Sequence, residues 1–178
     1  MAIFTIEQLR DILRAFSQTQ SDCFSENAIV ALRKNGHKDR CKLKMINQEG
    51  TDIELCWTKE FSEAGYRENK KVTEKAAEAI SFFLVNELTE YRIVEEAKMG
   101  SRIDYWLGYN EEHDSYDPLN IFRARLEVSG INKETPKNTV KARVGRKKKQ
   151  IRKKGSSRLP AFISIVEFGT PKAVFETK

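Results

Sequence analysis

The sequence predicts an α/β protein in which helices flank a central mixed sheet of four to five strands. Three observations predict this class. Apolar residues recur at helical spacing through residues 72–91, which predicts a helix packed on a sheet. Residues 103–107 and 122–129 alternate between apolar and polar side chains, as half-buried strands do. Residues 160–168 are almost continuously apolar, which is typical of a central, covered strand.

Residues 1–70 are interpreted as an N-terminal support element made of helix and β-hairpin. Thr5-x-x-Gln8 is a capping box that predicts a first helix, and Ser25 predicts the start of a second, short helix. The alternating runs 41–45 and 53–57 flank residues 47–50, which predicts a hairpin. Residues 71–178 are interpreted as the α/β core, and we expect both parts to form one compact domain.

Composition restricts where the protein acts. The chain has 178 residues, no apolar run approaching the ~20 residues of a membrane span, and no signal-peptide layout at its start. Its three cysteines lack zinc-ligand spacing and favour buried thiols in a reducing cytosol. We therefore expect a cytoplasmic protein with no membrane partner, and we expect both histidines at the surface rather than as metal ligands.

The positive charge is concentrated in one segment. The net charge is +6, but residues 132–158 alone carry +11, because twelve Lys and Arg residues stand there against one acid. A basic segment on an otherwise acidic protein predicts a polyanionic partner, with nucleic acid first; the alternative is a solvated helix face. Thr135-Pro136 predicts the start of the helix that carries this charge. The residues expected to bind nucleic acid are Lys141, Arg143, Arg146, Lys147, Lys148, Lys149, Arg152, Lys153 and Lys154.

Two acids are predicted to lie side by side on the sheet. Asp104 and Glu127 fall on the polar faces of two strands that can be neighbours. Their carboxylates repel each other unless a cation lies between them, so the pair suggests a site for Mg²⁺ or Mn²⁺. The alternative is two solvent-facing acids on the polar side of an antiparallel sheet. Glu74 borders the buried face of the helix over 72–91 and is a candidate third carboxylate, whereas Glu78 is expected on the solvent side.

The predicted order helix, three strands, helix, strand places Asp104 on the second strand and Glu127-Val-Ser129 on the third. This order resembles the PD-(D/E)XK restriction-endonuclease-like superfamily over about residues 72–168. The resemblance implies a restriction-endonuclease-like core in which Glu74, Asp104 and Glu127 match the metal-binding carboxylates. Ser129 stands where the superfamily has a lysine, which a hydroxyl cannot replace as a cation. Lys141 on the following helix is the expected substitute, and Lys98 is the alternative.

The resemblance implies a Mg²⁺- or Mn²⁺-dependent nuclease, with a role in defence against mobile elements or phage as one expectation. Asp104 and Glu127 would then hold the metal, while Glu74, Ser129 and Lys141 would complete the catalytic site. A homodimer or a subunit of a larger complex is the expected assembly. The alternative is a catalytically silent module of the same fold that binds nucleic acid or a partner protein.

Overall fold

The computed structural model describes residues 1–48, 50–101, 103–152 and 158–178. The helices in these ranges are α1 (Leu9–Ile12), α2 (Gln18–Lys34), α3 (Asn69–Leu88) and α4 (Val140–Arg152). The strands are β1 (Ala2–Thr5), β2 (Cys41–Met45), β3 (Ile53–Cys56), β4 (Tyr91–Glu96), β5 (Tyr105–Tyr109), β6 (Ala124–Ile131), β7 (Ala161–Glu167) and β8 (Lys172–Thr177).

All of these strands belong to one mixed sheet in the order β1-β3-β2-β8-β7-β6-β5-β4. Strands β4, β5 and β6 form an antiparallel meander, and α4 then crosses over to β7, which pairs with β6 in parallel. The α/β class is therefore confirmed. The predicted sheet of four to five strands is too small, because eight strands pair in this sheet.

The sheet is larger because the β2–β3 hairpin pairs with a strand of the core. Strand β2 pairs in parallel with β8 through Lys44–Lys172 and Met45–Ala173, so the hairpin continues the sheet of the core. Strand β1 then pairs in parallel with β3 at the edge. Pairing between segments so far apart in the chain leaves no local pattern, so residues 41–57 predicted the hairpin but not its neighbour.

Two helices cover one face of the sheet and one helix covers the other. Helices α2 and α3 pack on each other and on the face that carries Tyr105, Leu107 and Leu126, all of which are buried. Helix α4 packs on the opposite face against β7 through a smaller apolar cluster that includes Val140 and Ile151. The alternation predicted for residues 122–129 is confirmed within β6, since Ala124, Leu126 and Val128 belong to the larger cluster.

The predicted start of the second helix is wrong because the capping side chain lies earlier in the chain. Helix α2 begins at Gln18, and the Ser17 hydroxyl accepts the backbone N–H of Gln20 at 3.2 Å. The Gln20 side chain in turn accepts the backbone N–H of Ser17 at 3.1 Å, which completes a capping box. Ser25 is buried within this helix and donates its hydroxyl to the Ile6 carbonyl at 2.8 Å.

Two further helix starts also differ from the sequence prediction. The segment after Thr5 forms a single 3-10 turn and the short α1, because β1 uses the preceding residues in the sheet. Helix α4 begins at Val140 rather than near Pro136. There the Thr139 hydroxyl accepts the N–H of Ala142 at 3.2 Å and the Glu134 carboxylate accepts the N–H of Val140 at 2.6 Å. These acceptors satisfy helix N–H groups that have no partner within the helix.

Candidate functional site

Asp104 and Glu127 lie on the sheet face that α4 covers. Asp104 directly precedes β5; its N–H donates to the Leu126 carbonyl at 3.0 Å, and its Oδ2 accepts the N–H of Val128 at 2.7 Å. In the next step of the antiparallel register Tyr105 pairs with Leu126, and both of these side chains face the core under α3. Because side chains alternate along a strand, Asp104 and Glu127 share the opposite face.

Both carboxylates lie near the ammonium group of Lys147 on α4. Lys147 Nζ is 2.6 Å from Glu127 Oε2 and 4.0 Å from Asp104 Oδ2. The side chain of Glu127 is only 5 % exposed and that of Lys147 is 17 % exposed, whereas Asp104 is 42 % exposed. A carboxylate as buried as Glu127 is costly without a nearby cation, and Lys147 supplies one. Two acids remote in sequence therefore converge on one positive group.

The position of Lys147 in the helical pattern already indicated that its ammonium group faces the sheet, although the basic run around it suggested only nucleic-acid binding. Lys147 was predicted only as one of several residues that bind nucleic acid. It lies three residues after Val144 and four before Ile151, on the apolar stripe that packs against the sheet. A lysine on a buried stripe predicts a buried acid opposite it.

A cavity of about 480 Å³ opens beside this group, between α3, β6 and α4. Its lining is mostly polar and consists of Glu74, Glu78, Asp104, Val128, Ser129, Gly130, Arg143, Arg146, Lys147 and Gln150. An adjoining cavity of about 410 Å³ shares Glu78, Asp104 and Lys147 and adds Lys98 and Glu127. The structure thus brings together Asp104, Glu127, Glu74 and Ser129, which were predicted from three separate segments.

The approach of α3 to β6 explains why Glu74 reaches the same cavity as Ser129. A Cβ atom added to Gly130 would lie 2.5 Å from the carbonyl oxygen of Thr73, so only glycine fits under this turn of α3. Glu74 follows Thr73 and remains 56 % exposed, 4.0 Å from Lys70 Nζ. It borders the cavity without contacting the Asp104–Glu127 pair.

Glu78 is closer to the acid pair than the sequence predicted. The expectation that it faces solvent is wrong: its side chain is 18 % exposed and accepts hydrogen bonds from Lys75 Nζ at 2.8 Å and from the Tyr105 hydroxyl at 2.9 Å. Burial raises the pKa of the Glu78 carboxyl, and the negative charge of Asp104 adds to this rise. The Tyr105 hydroxyl comes from a different element, so helical periodicity alone did not predict this contact.

Arg143 occupies the Ser129 end of the cavity. Its Nη1 donates to the Ser129 hydroxyl at 3.0 Å and its Nη2 donates to the Asn138 side-chain carbonyl at 2.8 Å. Arg146 donates to the same Asn138 oxygen at 3.3 Å. Burial lowers the pKa of the Arg143 guanidinium, and the charge of Arg146 lowers it further.

The other basic residues of α4 are distributed around the helix. Lys141 and Lys149 are exposed and are not among the residues that line either cavity. Lys148 Nζ pairs with Glu176 at 2.8 Å on the side of β8. Lys153, Lys154 and the side chain of Arg152 lie outside the described residues. Lys98, the alternative lysine, lines the smaller cavity.

Within the described ranges, no group of three or more His, Cys, Asp or Glu side chains is arranged to hold a metal ion. Any ion at this site would therefore depend on the two carboxylates of Asp104 and Glu127. Magnesium is commonly held by one or two carboxylates together with water and substrate phosphate. Two carboxylates are therefore a sufficient set of protein ligands for this ion.

Comparisons of the chain with models of protein families, with curated proteins and with solved structures find no match. A search for membrane-spanning helices among the described residues also finds none of sufficient length and apolarity. The function must therefore be inferred from the geometry and charge of the site.

Proposed function

We propose that this protein is a metal-dependent nuclease that hydrolyses phosphodiester bonds in nucleic acid. One observation carries the proposal: Asp104, directly before β5, and Glu127, on the neighbouring β6, both lie within 4.0 Å of the ammonium group of Lys147, beside a cavity that two arginines also line. Two carboxylates that face one positive charge create the negative potential that attracts a divalent ion. The flanking arginines favour a phosphate group on the other side.

The order of the elements supports the resemblance to the PD-(D/E)XK superfamily. Helix α3, strands β4, β5 and β6, helix α4 and strand β7 follow one another as the resemblance implies. Asp104 precedes the second of these strands, and Glu127 lies on the third.

The residues that would hold Mg²⁺ or Mn²⁺ are Asp104 and Glu127. Their carboxylate oxygens are the hard ligands that these ions prefer. The N–H of Val128 orients Asp104 Oδ2, while the partial exposure of Asp104 leaves the site accessible from the cavity. A divalent ion there would lower the pKa of the attacking water and offset the charge of the phosphate.

Lys147 is the best placed lysine for the role that Ser129 cannot fill. The sequence predicted Lys141 for this role, but Lys141 is exposed and lines neither cavity. The ammonium of Lys147 is held beside both carboxylates, where it can orient a water molecule and stabilise negative charge that develops on the phosphate. The remaining positive residues of α4 would contact the nucleic-acid backbone on either side without reading bases.

The test is cleavage of plasmid DNA and of single-stranded DNA and RNA, each with Mg²⁺ or Mn²⁺. We expect Asp104→Ala and Glu127→Ala each to reduce the rate by about 100-fold or more, since both would remove charge at the reacting phosphate. Asp114→Ala removes an exposed acid from the loop between β5 and β6 and serves as the matched control. Equal cleavage by all of these variants would refute the proposed site.

A second candidate is a catalytically silent module that binds nucleic acid. The contact of 2.6 Å between Lys147 and Glu127 favours it, because this ion pair compensates the buried carboxylate without any metal. The silent module is supported if the wild-type protein binds DNA or RNA in a salt-sensitive manner and cleaves none of the substrates with either ion.

A further inference from the structure

The cation at the Ser129 position of the cavity is an arginine from another element. Arg143 Nη1 lies 3.0 Å from the Ser129 hydroxyl, so a guanidinium from α4 stands beside the residue where the resembling superfamily has a lysine on the strand. A second neutral acceptor, Asn138, holds the Nη2 atom at 2.8 Å. The position of the guanidinium is therefore set by two side chains that carry no charge.

The charge of Arg143 has no counter-ion among the residues that the structure describes. Each acid near the cavity has a lysine within 4.0 Å: Glu74 has Lys70, Glu78 has Lys75, and Glu127 and Asp104 share Lys147. Among the described residues, neither Arg143 nor Arg146 has a carboxylate partner, and both donate only to neutral oxygens. Two guanidinium groups without counter-ions thus meet at one end of the cavity.

The hydrogen-bonding capacity of Arg143 is also incompletely used. Two of its hydrogen bonds go to Ser129 and Asn138, whereas a guanidinium offers five N–H donors in a planar fork. Its Nε is buried and has no hydrogen-bond partner among the described residues. A half-buried guanidinium with spare donors and no anion is matched in shape and charge to a phosphoryl group.

We propose that Arg143, oriented by Ser129 and Asn138 and assisted by Arg146, forms a preorganised binding site for a single phosphoryl group, the backbone phosphodiester that lies beside Asp104 and Glu127. The identity of this group as a backbone phosphodiester rests on the proposed function; the anion site itself rests only on the geometry of the arginines. Ser129 then has a function of its own: its hydroxyl accepts a hydrogen bond from the guanidinium and so orients it. A lysine at residue 129 would instead place a second positive charge against Arg143.

The experiment is a titration followed by NMR in the absence of divalent ions, with inorganic phosphate and with a dinucleoside monophosphate that has no terminal phosphate. The Nε–H resonance of Arg143, assigned by its loss in Arg143→Lys, reports on the guanidinium. The backbone amide of residue 129 reports binding in every variant. We expect saturable shifts of both resonances with both probes.

The variants separate a phosphoryl site from a general attraction to the basic helix. Arg143→Lys keeps the positive charge but loses the planar guanidinium with its parallel N–H donors, and we expect about tenfold weaker binding of both probes. Ser129→Ala removes only the orienting acceptor, and we expect weakening of about threefold. Lys137→Gln removes one exposed charge from the basic segment just before α4 and should change the affinity by less than about twofold.

Equal weakening by Arg143→Lys and Lys137→Gln would overturn the proposal, as would shifts that do not saturate. Binding of inorganic phosphate alone would overturn its assignment to a phosphodiester. If Arg143→Lys does not fold, Ser129→Ala and Lys137→Gln still decide the result through the backbone amide of residue 129: weaker binding in Ser129→Ala alone supports the site, and equal affinities overturn it. Because no cleavage is measured, a protein that binds the dinucleoside monophosphate through Arg143 but cuts nothing would retain this site and lose the proposed nuclease activity.

Discussion

The two faces of the sheet are held by different forces. The face under α2 and α3 is apolar and aromatic: Phe82 is fully buried, with its ring centroid 5.1 Å from that of Phe24 and 4.8 Å from that of Tyr105. The face under α4 combines a small apolar cluster with the ion pair between Lys147 and Glu127. Hydrophobic burial is not directional, whereas an ion pair in a poorly hydrated site has few acceptable geometries.

This difference shows how one sheet can separate stability from function. Most of the side chains that pack under α3 are apolar, and α3 contributes only Glu74 and Glu78 to the lining of the larger cavity. The charged groups under α4 line a cavity of about 480 Å³ that is open to a ligand. We infer that α2 and α3 stabilise the sheet, and that α4 places its cations over the acids of β5 and β6.

The largest effect should come from the apolar face. Phe82→Ala should lower the free energy of unfolding by about 3–5 kcal/mol, because it removes a buried ring and leaves a cavity. Phe122→Ala is the matched control: Phe122 is partly exposed and stacks on Trp106 with ring centroids 4.9 Å apart. We expect Phe122→Ala to lower the free energy of unfolding by about 1 kcal/mol. Urea denaturation measures both values, and equal costs would contradict the division between the faces.

The next effect should come from the charged face. Lys147→Met should lower the free energy of unfolding by about 2–4 kcal/mol at neutral pH, because the buried Glu127 carboxylate then loses the ammonium group that lies 2.6 Å from it. The double variant Glu127→Leu with Lys147→Met should return to within about 1 kcal/mol of the wild-type protein, since apolar residues of similar size can replace a buried pair. Chemical denaturation of the three proteins gives the comparison.

The double variant also tests whether the charge of Lys147 or the packing of its aliphatic stem stabilises the protein. A double variant as unstable as Lys147→Met would mean that the lost lysine stem, rather than the uncompensated carboxylate, causes the destabilisation. The ion pair between Lys147 and Glu127 would then not account for the stability that α4 contributes.

The smallest effect concerns pH. The pKa of Glu78 is raised by burial and by Asp104, so the folded protein binds this proton more tightly than the unfolded chain does. Its favourable contribution is complete below the ordinary carboxyl pKa of 4.5 and is lost as the pH rises through the higher value of the folded state. Glu78→Gln should therefore lose less stability than the wild-type protein as the pH rises above 4.5 and through the raised pKa.

Denaturation curves at several pH values measure this effect. Glu74→Gln, which changes a more exposed acid on the same helix, is the control and should follow the wild-type curve. Parallel curves for the wild-type protein and Glu78→Gln would contradict the buried environment described for this carboxylate.

Local patterns predicted the elements near the site well. The alternation of residues 122–129 predicted β6 and the side of the sheet on which Glu127 lies, because the strand period of two is a property of the backbone itself. The apolar stripe of residues 72–91 predicted α3 for the corresponding reason. Glu78 was misjudged because its burial depends on Tyr105, a residue from a different element.

The residues that bind across elements could not be predicted in the same way. Lys147 was predicted as one of several lysines in a basic run; its place on the apolar stripe separates it from the exposed Lys141, but only the packing of α4 on the sheet shows which acids it contacts. The contact between Arg143 and Ser129 likewise depends on where α4 begins, and that is decided by Thr139 and Glu134 rather than by Pro136.

Local patterns were enough to predict the α/β class, the strand that carries Glu127, the strand that Asp104 directly precedes, and the concentration of positive charge in residues 132–158. Each of these follows from periodicity or composition, which every short segment contains. The pairing of β2 with β8, the contacts of Lys147 with the two acids and the contact of Arg143 with Ser129 are visible only in the packed molecule. These contacts join residues distant in the chain, and their formation depends on the packing of whole elements rather than on any local preference.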